Sequence, residues 1–290
     1  MSLNKMMKDK EKLVSFLIPC YNHEHFVMDL FHSILDQTYE HYEIIICDDC
    51  SKDQSVEVIK KAKALFEEKG VRFELLTNEK NQGIVKNLNR MLEIATGEYV
   101  KVIASDDILN PYYLERMVEL LEENKEVKFA FCNCIRFKEE GHYPVEESYV
   151  LGKLLDPFPK ESSYTFEEVF RLNMVPAPST MYRRDVFEEV GRYDESIAIE
   201  DLEMLLRVLS RYPKGCVYTE EALVYYRIND NSISSTKRNK GAYKRIRFMY
   251  ENQLKTAKKY RNDVSNFVYK NRMHDIRLSY YIQLFHLIFG

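Results

Sequence analysis

The sequence has no run of 18 or more apolar residues, and it has no tryptophan. The first absence argues against a transmembrane helix. The opening residues, Met1 to Lys12, are polar and charged, without the apolar stretch that a secretory signal requires. Glycine and proline are scarce, at 9 and 8 in 290 residues, which excludes collagen-like and low-complexity chains. Cysteine is modest at 6; with no export signal, the thiols are expected to be reduced in a cytoplasmic chain. What is present is ordinary globular composition, 45% hydrophobic and 30% charged, at a length of about two domains or one large α/β domain with additions.

A net charge of −4 conceals an asymmetry. Residues 237–290 hold thirteen Lys and Arg against three Asp and Glu, a net of +10, so the preceding 236 residues carry −14. An acidic body argues against nucleic-acid binding, and the basic tail is equipped to meet something anionic.

Compact apolar runs alternate with segments of helical apolar spacing over the first hundred positions. Strands are expected at Leu13–Ile18, Tyr42–Cys47, Val71–Thr77 and Tyr99–Ala104. Helices are expected between them, at Phe26–Leu35, Val56–Phe66 and Ile84–Ala95, with Gly70 and Gly97 as stops. This β-α-β-α-β-α-β order predicts a Rossmann-like, mainly parallel sheet with helices on both faces. Asn110-Pro111 is read as a helix start with Asn110 as N-cap, followed by a strand at Val127–Cys134 and a long irregular loop over 139–163. Thr165-x-x-Glu168 predicts a capping box, Ile199–Leu209 a helix, and Ala222–Ile228 a short strand. From Lys237 onward the pattern is helical, basic and rich in tyrosine.

Open α/β sheets bind ligands beyond the carboxyl ends of their strands, so the residues that follow each strand matter most. After the first strand comes Pro19-Cys20-Tyr21-Asn22-His23-Glu24, an aromatic and amide-bearing turn suited to a nucleobase, or an ordinary turn with Asn22 as N-cap. After the second come Asp48 and Asp49, adjacent carboxylates that need a ligand or hydrogen-bond donors. After the third, Gly83 opens a helix carrying Lys86 and Asn89 one turn apart, a weak phosphate signal. After the fourth comes a second acidic pair, Ser105-Asp106-Asp107. Hard divalent cations that act on diphosphates take one or two such carboxylates. Glu200-Asp201 open a later helix, where one acid can cap and the other can serve as a general base. Cys47-x-x-Cys50 and Cys132-x-Cys134 do not form a standard four-ligand zinc set and read as packed thiols. Tyr143, Tyr149 and Tyr164 are candidate acceptor contacts, or core and surface packing.

Together these segments resemble glycosyltransferase family 2, which has the GT-A fold. Ser15–Asn22 is similar to the family's opening strand and turn, and Glu43–Ser51 to its second-strand motif, with Cys50 where glycine is usual. Asn81–Asn89 with Ala95–Tyr99 is similar to its third block, and Ala104-Ser105-Asp106-Asp107 to its Asp-x-Asp metal motif, whose first acid is alanine here. Glu200–Arg207 is similar to its Glu-Asp catalytic block, and Tyr226-Arg227 with Ser232–Ser234 to its closing segment, where Asn229-Asp230 replace a frequent histidine. The processive membrane synthases of the family have a Gln-x-x-Arg-Trp block, which a chain without tryptophan cannot carry.

The resemblance implies an inverting glycosyltransferase that uses Mn²⁺ or Mg²⁺ and a nucleotide-sugar donor, UDP-sugar first, with a saccharide or lipid-linked acceptor. Cell-surface polysaccharide synthesis is its expected setting; a non-catalytic binding or assembly protein of the same fold is the alternative. It implies donor contacts from Pro19, Tyr21, Asn22, Glu24, Asp49, Lys86, Asn89, Ser105 and Asp106, a metal held by Asp107 and Asp106, and catalysis by Asp201 with Glu200. The division that follows is a polar leader at 1–12, a nucleotide-sugar half at 13–110, an acceptor and catalytic half at 111–236 and a basic helical extension at 237–290. Residues 241–290, ending in the apolar Tyr280–Phe289, are expected to meet the cytoplasmic face of an anionic membrane, to pack on the catalytic domain, or to form a homodimer contact.

Overall fold

The computed structural model describes residues 12–137, 149–150, 164–173, 175–228 and 241–289. The first half reads β1 (Val14–Cys20), α1 (Val27–Leu35), β2 (Tyr42–Asp48), α2 (Ser55–Glu68), β3 (Phe73–Thr77), α3 (Ile84–Ile94) and β4 (Tyr99–Val102). It continues with β5 (Ile108–Leu109), α4 (Tyr113–Glu123), β6 (Phe129–Phe137), β7 (Tyr149–Val150) and α5 (Phe166–Leu172). A 3₁₀ turn at Ala177–Ser179 leads into β8 (Met181–Arg183), α6 (Val186–Glu189), α7 (Glu200–Arg211) and β9 (Cys216–Arg227). Two long helices, α8 (Ala242–Lys259) and α9 (Asn266–Phe289), follow.

One sheet runs through the body in the order β3-β2-β1-β4-β8-β6-β9-β5, with β7 on the side of β6. The expected parallel pairing holds from β3 to β4. Beyond β4 the sheet is mixed: β8 joins β4 and β6 antiparallel, β9 runs parallel to β6, and β5 caps β9 antiparallel.

Both faces of the parallel half are buried, which is why its strands read as unbroken apolar runs rather than alternating ones. Phe16, Ile18, Ile44 and Ile46 face one core with Leu30, Phe31, Ile59 and Phe66 of α1 and α2. Leu17, Ile45, Cys47 and Val100 face the other, with Leu88 and Met91 of α3 and Leu202, Leu205 and Leu206 of α7. Five of the six thiols are buried, and burial pushes Cys20 and Cys132 up to about 12.

Two local expectations shift. The helix after Asn110-Pro111 begins at Tyr113, with Tyr112 as N-cap. Asn110 Oδ1 accepts the Tyr112 N–H at 3.0 Å, so its side chain closes a turn ahead of the helix rather than capping it. The strand expected at Ala222 is the second half of a longer one starting at Cys216, kinked by register shifts against β6. The capping box at Thr165 and Glu168 forms as expected.

Gly97 has a more specific role than ending a helix. A Cβ there would lie 2.6 Å from Leu13 O and 2.7 Å from Ser15 Oγ. The close approach lets Gly97 N donate to Ser15 Oγ, which donates in turn to the buried Glu43. Thr96 and Arg72 also donate to Glu43, and these donors hold its carboxyl below the usual range despite burial. This network fixes the far end of the sheet, opposite the edge where the acidic pairs emerge.

Candidate active site

The carboxyl ends of β1 and β2 carry loops that are tied to each other. Asn22 Oδ1 accepts the Lys52 N–H at 2.7 Å, and Asn22 N donates to Ser51 Oγ. Glu24 Oε2 accepts from Gln54 N at 2.7 Å, and Glu24 N donates to Asp53 Oδ2. Asn22 and Glu24 thus knit two loops into one rim. The turns need left-handed backbone, with φ of +55° at Asn22 and +66° at Cys50, a conformation that glycine adopts more readily than cysteine. Tyr21 stands exposed on this rim, and Pro19 lies half-buried in β1.

Asp49 is buried and accepts three hydrogen bonds, from Asn78 Nδ2 at 2.8 Å, Gln82 N at 2.7 Å and Gly83 N at 2.9 Å. These donors hold its carboxyl below the usual range against the opposing effect of burial. It therefore shapes the β3–α3 loop, with Gly83 at φ +84° where only glycine is at ease. Asp48 accepts from Ser51 N through Oδ1, while its buried Oδ2 has no partner among the described residues. Lys86 and Asn89 are not a matched pair. Lys86 is exposed, whereas Asn89 exchanges two 3.0 Å hydrogen bonds with the Tyr193 backbone and so fastens α3 to the segment preceding α7.

Beyond β4, Ser105, Asp106 and Asp107 are all buried. Ser105 Oγ lies 2.7 Å from His23 Nδ1, joining this segment to the rim. Burial raises Asp106, and burial together with the charge of Asp106 raises Asp107 well above the usual carboxylate range. Asp107 Oδ1 accepts the Arg227 N–H at 3.0 Å, while its buried Oδ2 has no hydrogen-bond partner among the described residues. Two adjacent carboxylates with an orphaned oxygen are hard donors that a small divalent cation would relieve. No third His, Cys, Asp or Glu converges with them among the described residues, so the remaining ligands of such a cation would come from diphosphate oxygens and water. The residues present fit Mn²⁺ or Mg²⁺. Asn229 and Asp230, the sequence counterparts of a third ligand, lie outside the described residues.

Sequence reading missed how much depends on Arg227, at the end of β9. Its Nε donates to Asp106 O at 2.7 Å and its Nη2 to Asp29 Oδ2 at 2.9 Å. Its guanidinium is sandwiched between the Phe26 and Phe137 rings, at 4.9 and 4.6 Å from their centroids. The Tyr226-Arg227 pair was the only signal for it. Lys101 was also missed. It is buried in β4, where it donates to Pro178 O and sits 4.3 Å from the Tyr113 ring centroid. Burial lowers its pKa to about 8, and its charge acts on Asp107.

Glu200 and Asp201 are the first two residues of α7, half-buried, beside Tyr182 of β8 and Tyr193. Strand β8 is the immediate neighbour of β4, with Tyr182 opposite Val100. The second acidic pair thus stands over the strand next to the one that delivers the first. Burial and the neighbouring Asp201 charge raise Glu200 to about 8, and burial raises Asp201. The segment ahead of them is held from α8. Asn252 Oδ1 accepts from Ala198 N at 3.0 Å, and Lys259 Nζ donates to both Asp194 Oδ2 and the fully buried Glu203 Oε1 at 2.7 Å. Tyr164, a candidate acceptor contact, is buried against Phe131 and Tyr218; Tyr143 and the Tyr149 side chain lie outside the described residues.

Known proteins resemble this chain in sequence and in fold. Residues 15–191 match the family described as glycosyl transferase family 2. A Bacillus subtilis protein named, provisionally, as the teichuronic acid biosynthesis glycosyltransferase TuaG is 30% identical over 233 residues, covering 80% of this chain and 85% of its own length. The Escherichia coli UDP-Glc:alpha-D-GlcNAc-diphosphoundecaprenol beta-1,3-glucosyltransferase WfgD is 26% identical over 226 residues, covering 78% of this chain and 81% of its own. The mannosyltransferase PcManGT of Pyrobaculum calidifontis, solved with GDP-Man and Mn²⁺, superposes with a TM-score of 0.66 at 14% identity, over 95% of this chain and 72% of that one, and shares the fold. The chain belongs to glycosyl transferase family 2 and is a glycosyltransferase of GT-A fold.

Proposed function

We propose that this enzyme transfers a sugar, with inversion, from a nucleotide-diphosphate sugar to a saccharide or lipid-linked acceptor in cell-surface polysaccharide synthesis. The observation that carries the reading is the buried Asp107 Oδ2, without a hydrogen-bond partner among the described residues, beside Asp106, with a second acidic pair over the adjacent strand. UDP is the first nucleotide to try, since WfgD is named for UDP-Glc, and that name also motivates a diphosphate-lipid acceptor.

In this reading the exposed Tyr21 offers its ring to the base, on a rim set by Pro19, Asn22, Glu24 and Asp49. Lys86 at the head of α3, with Asn89 fixing that helix, addresses the diphosphate. Asp106 and Asp107 would hold Mn²⁺ or Mg²⁺, which when bound supplies positive charge for the departing diphosphate. Ser105 holds the segment against His23. Asp201 accepts the acceptor hydroxyl proton, and its raised pKa makes it a stronger base than an exposed carboxylate. The hydroxyl oxygen then forms its bond to the anomeric carbon as the bond to the diphosphate oxygen breaks. Glu200 shares the negative charge of the pair and tunes Asp201.

The test is release of nucleoside diphosphate from a panel of UDP-, GDP- and dTDP-sugars with Mn²⁺, beside Asp201→Asn. One donor consumed by the parent enzyme, a variant whose kcat falls at least about a hundredfold with nucleotide affinity retained, and a product of opposite anomeric configuration support the reading. A retained configuration or a fully active variant overturns it.

A further inference from the structure

Helix α9 has two apolar faces. One is buried: Val268, Met273 and Ile276 enter the core shared with α5 and α7, and Tyr280 stacks on Tyr250 of α8 at 4.2 Å. The other faces outward. Leu278, Tyr281 and Ile282 are 48, 64 and 47% exposed, and Phe285 beside them is 60% exposed. Their spacing of three, four and seven residues is one stripe along a helix. Phe267, 73% exposed, lies eleven residues before Leu278, three turns away on the same side. A stripe of large apolar side chains directed away from the body is the mark of an interaction surface.

Charge selects the occupant. Residues 241–289 hold ten Lys and Arg against three Asp and Glu. Lys270 and Arg277 are exposed on one flank of the stripe and Asp275 on the other, while Lys244, Lys258 and Arg247, the last paired with Glu251, are exposed on α8. Two copies meeting through this hairpin would bring like charges together. A layer of anionic headgroups satisfies both the charge and the stripe. No described helix is long and apolar enough to cross a membrane, so α9 is suited to lying in the headgroup layer.

We propose that α9 docks this enzyme on an anionic lipid surface, with Leu278, Tyr281 and Ile282 entering the headgroup–acyl boundary and the basic side chains of the hairpin meeting phosphates. This surface is separate from the acidic site, so it stands or falls independently of the donor and the base.

Co-sedimentation of the full chain with vesicles is the test, comparing phosphatidylcholine alone with phosphatidylcholine containing phosphatidylglycerol. Binding to the anionic vesicles only, weakened by salt, is expected. Leu278→Asp and Ile282→Asp, both at exposed positions, should each reduce the bound fraction constant roughly tenfold while leaving the melting temperature and the mass in solution unchanged. No sedimentation of the parent protein, or equal binding to neutral vesicles, overturns the proposal. A dimer in solution that either variant dissociates overturns it in favour of a second copy.

Discussion

The backbone N–H of Arg227 donates to Asp107 Oδ1 at 3.0 Å, joining two residues 120 positions apart in the chain. The same arginine reaches Asp29 on α1 and the Asp106 carbonyl, so the end of β9 locks the acidic pair against α1. Arg227→Met keeps the backbone bond and removes the rest. Breaking a largely buried charge pair costs about 3 kcal/mol or more. Urea unfolding should show a loss of this size. Arg227→Lys should recover little of it, because an ammonium cannot span both partners while stacking between Phe26 and Phe137.

Glu200 links the site to pH. Its pKa is about 8 in the folded protein, above the ordinary carboxylate value, so the folded state holds a proton that the unfolded chain releases. Its contribution to stability is fully present below the unfolded pKa and is lost as pH rises through about 8. Glu200→Gln should therefore raise the melting temperature more at pH 8.5 than at pH 5. An equal effect at both values would show that Glu200 is not perturbed.

Lys259 bridges Asp194 and Glu203, and so holds the segment that delivers Glu200 and Asp201. Lys259→Met leaves Glu203 buried beside Arg207 and Tyr260 and frees Asp194. Faster amide exchange confined to about residues 194–203 is the expected outcome, with Lys259→Arg restoring protection and nucleotide affinity unaltered in both. Unchanged exchange in Lys259→Met would show that α8 does not position this segment.

The parallel half was legible because Phe16–Ile18 and Ile44–Ile46 alternate between two cores and must all be apolar. The acidic pairs were legible because carboxylates adjacent to such runs are costly without a purpose. Roles set by distant partners were not legible. Arg227 meets residues 120, 121 and 198 positions away, and no local pattern announces that. Asn89 reads as a ligand contact in the sequence, and its hydrogen bonds to Tyr193, 104 residues on, have no local signature. Asn110 is capable of capping a helix or closing a turn, and the packing of Tyr113 into the core decides for the turn.

In the proposed mechanism Asp107 and Asp106 hold a divalent cation that in turn holds the nucleotide. Thermal unfolding with Mn²⁺, with UDP and with both, for the parent enzyme and Asp107→Asn, separates metal-mediated from direct nucleotide binding. Ligand at a hundred times its dissociation constant stabilises by about 2.7 kcal/mol. That shift is expected in the parent only when metal and nucleotide are present together, with none in the variant. The same stabilisation in Asp107→Asn, or by UDP without metal, would contradict it.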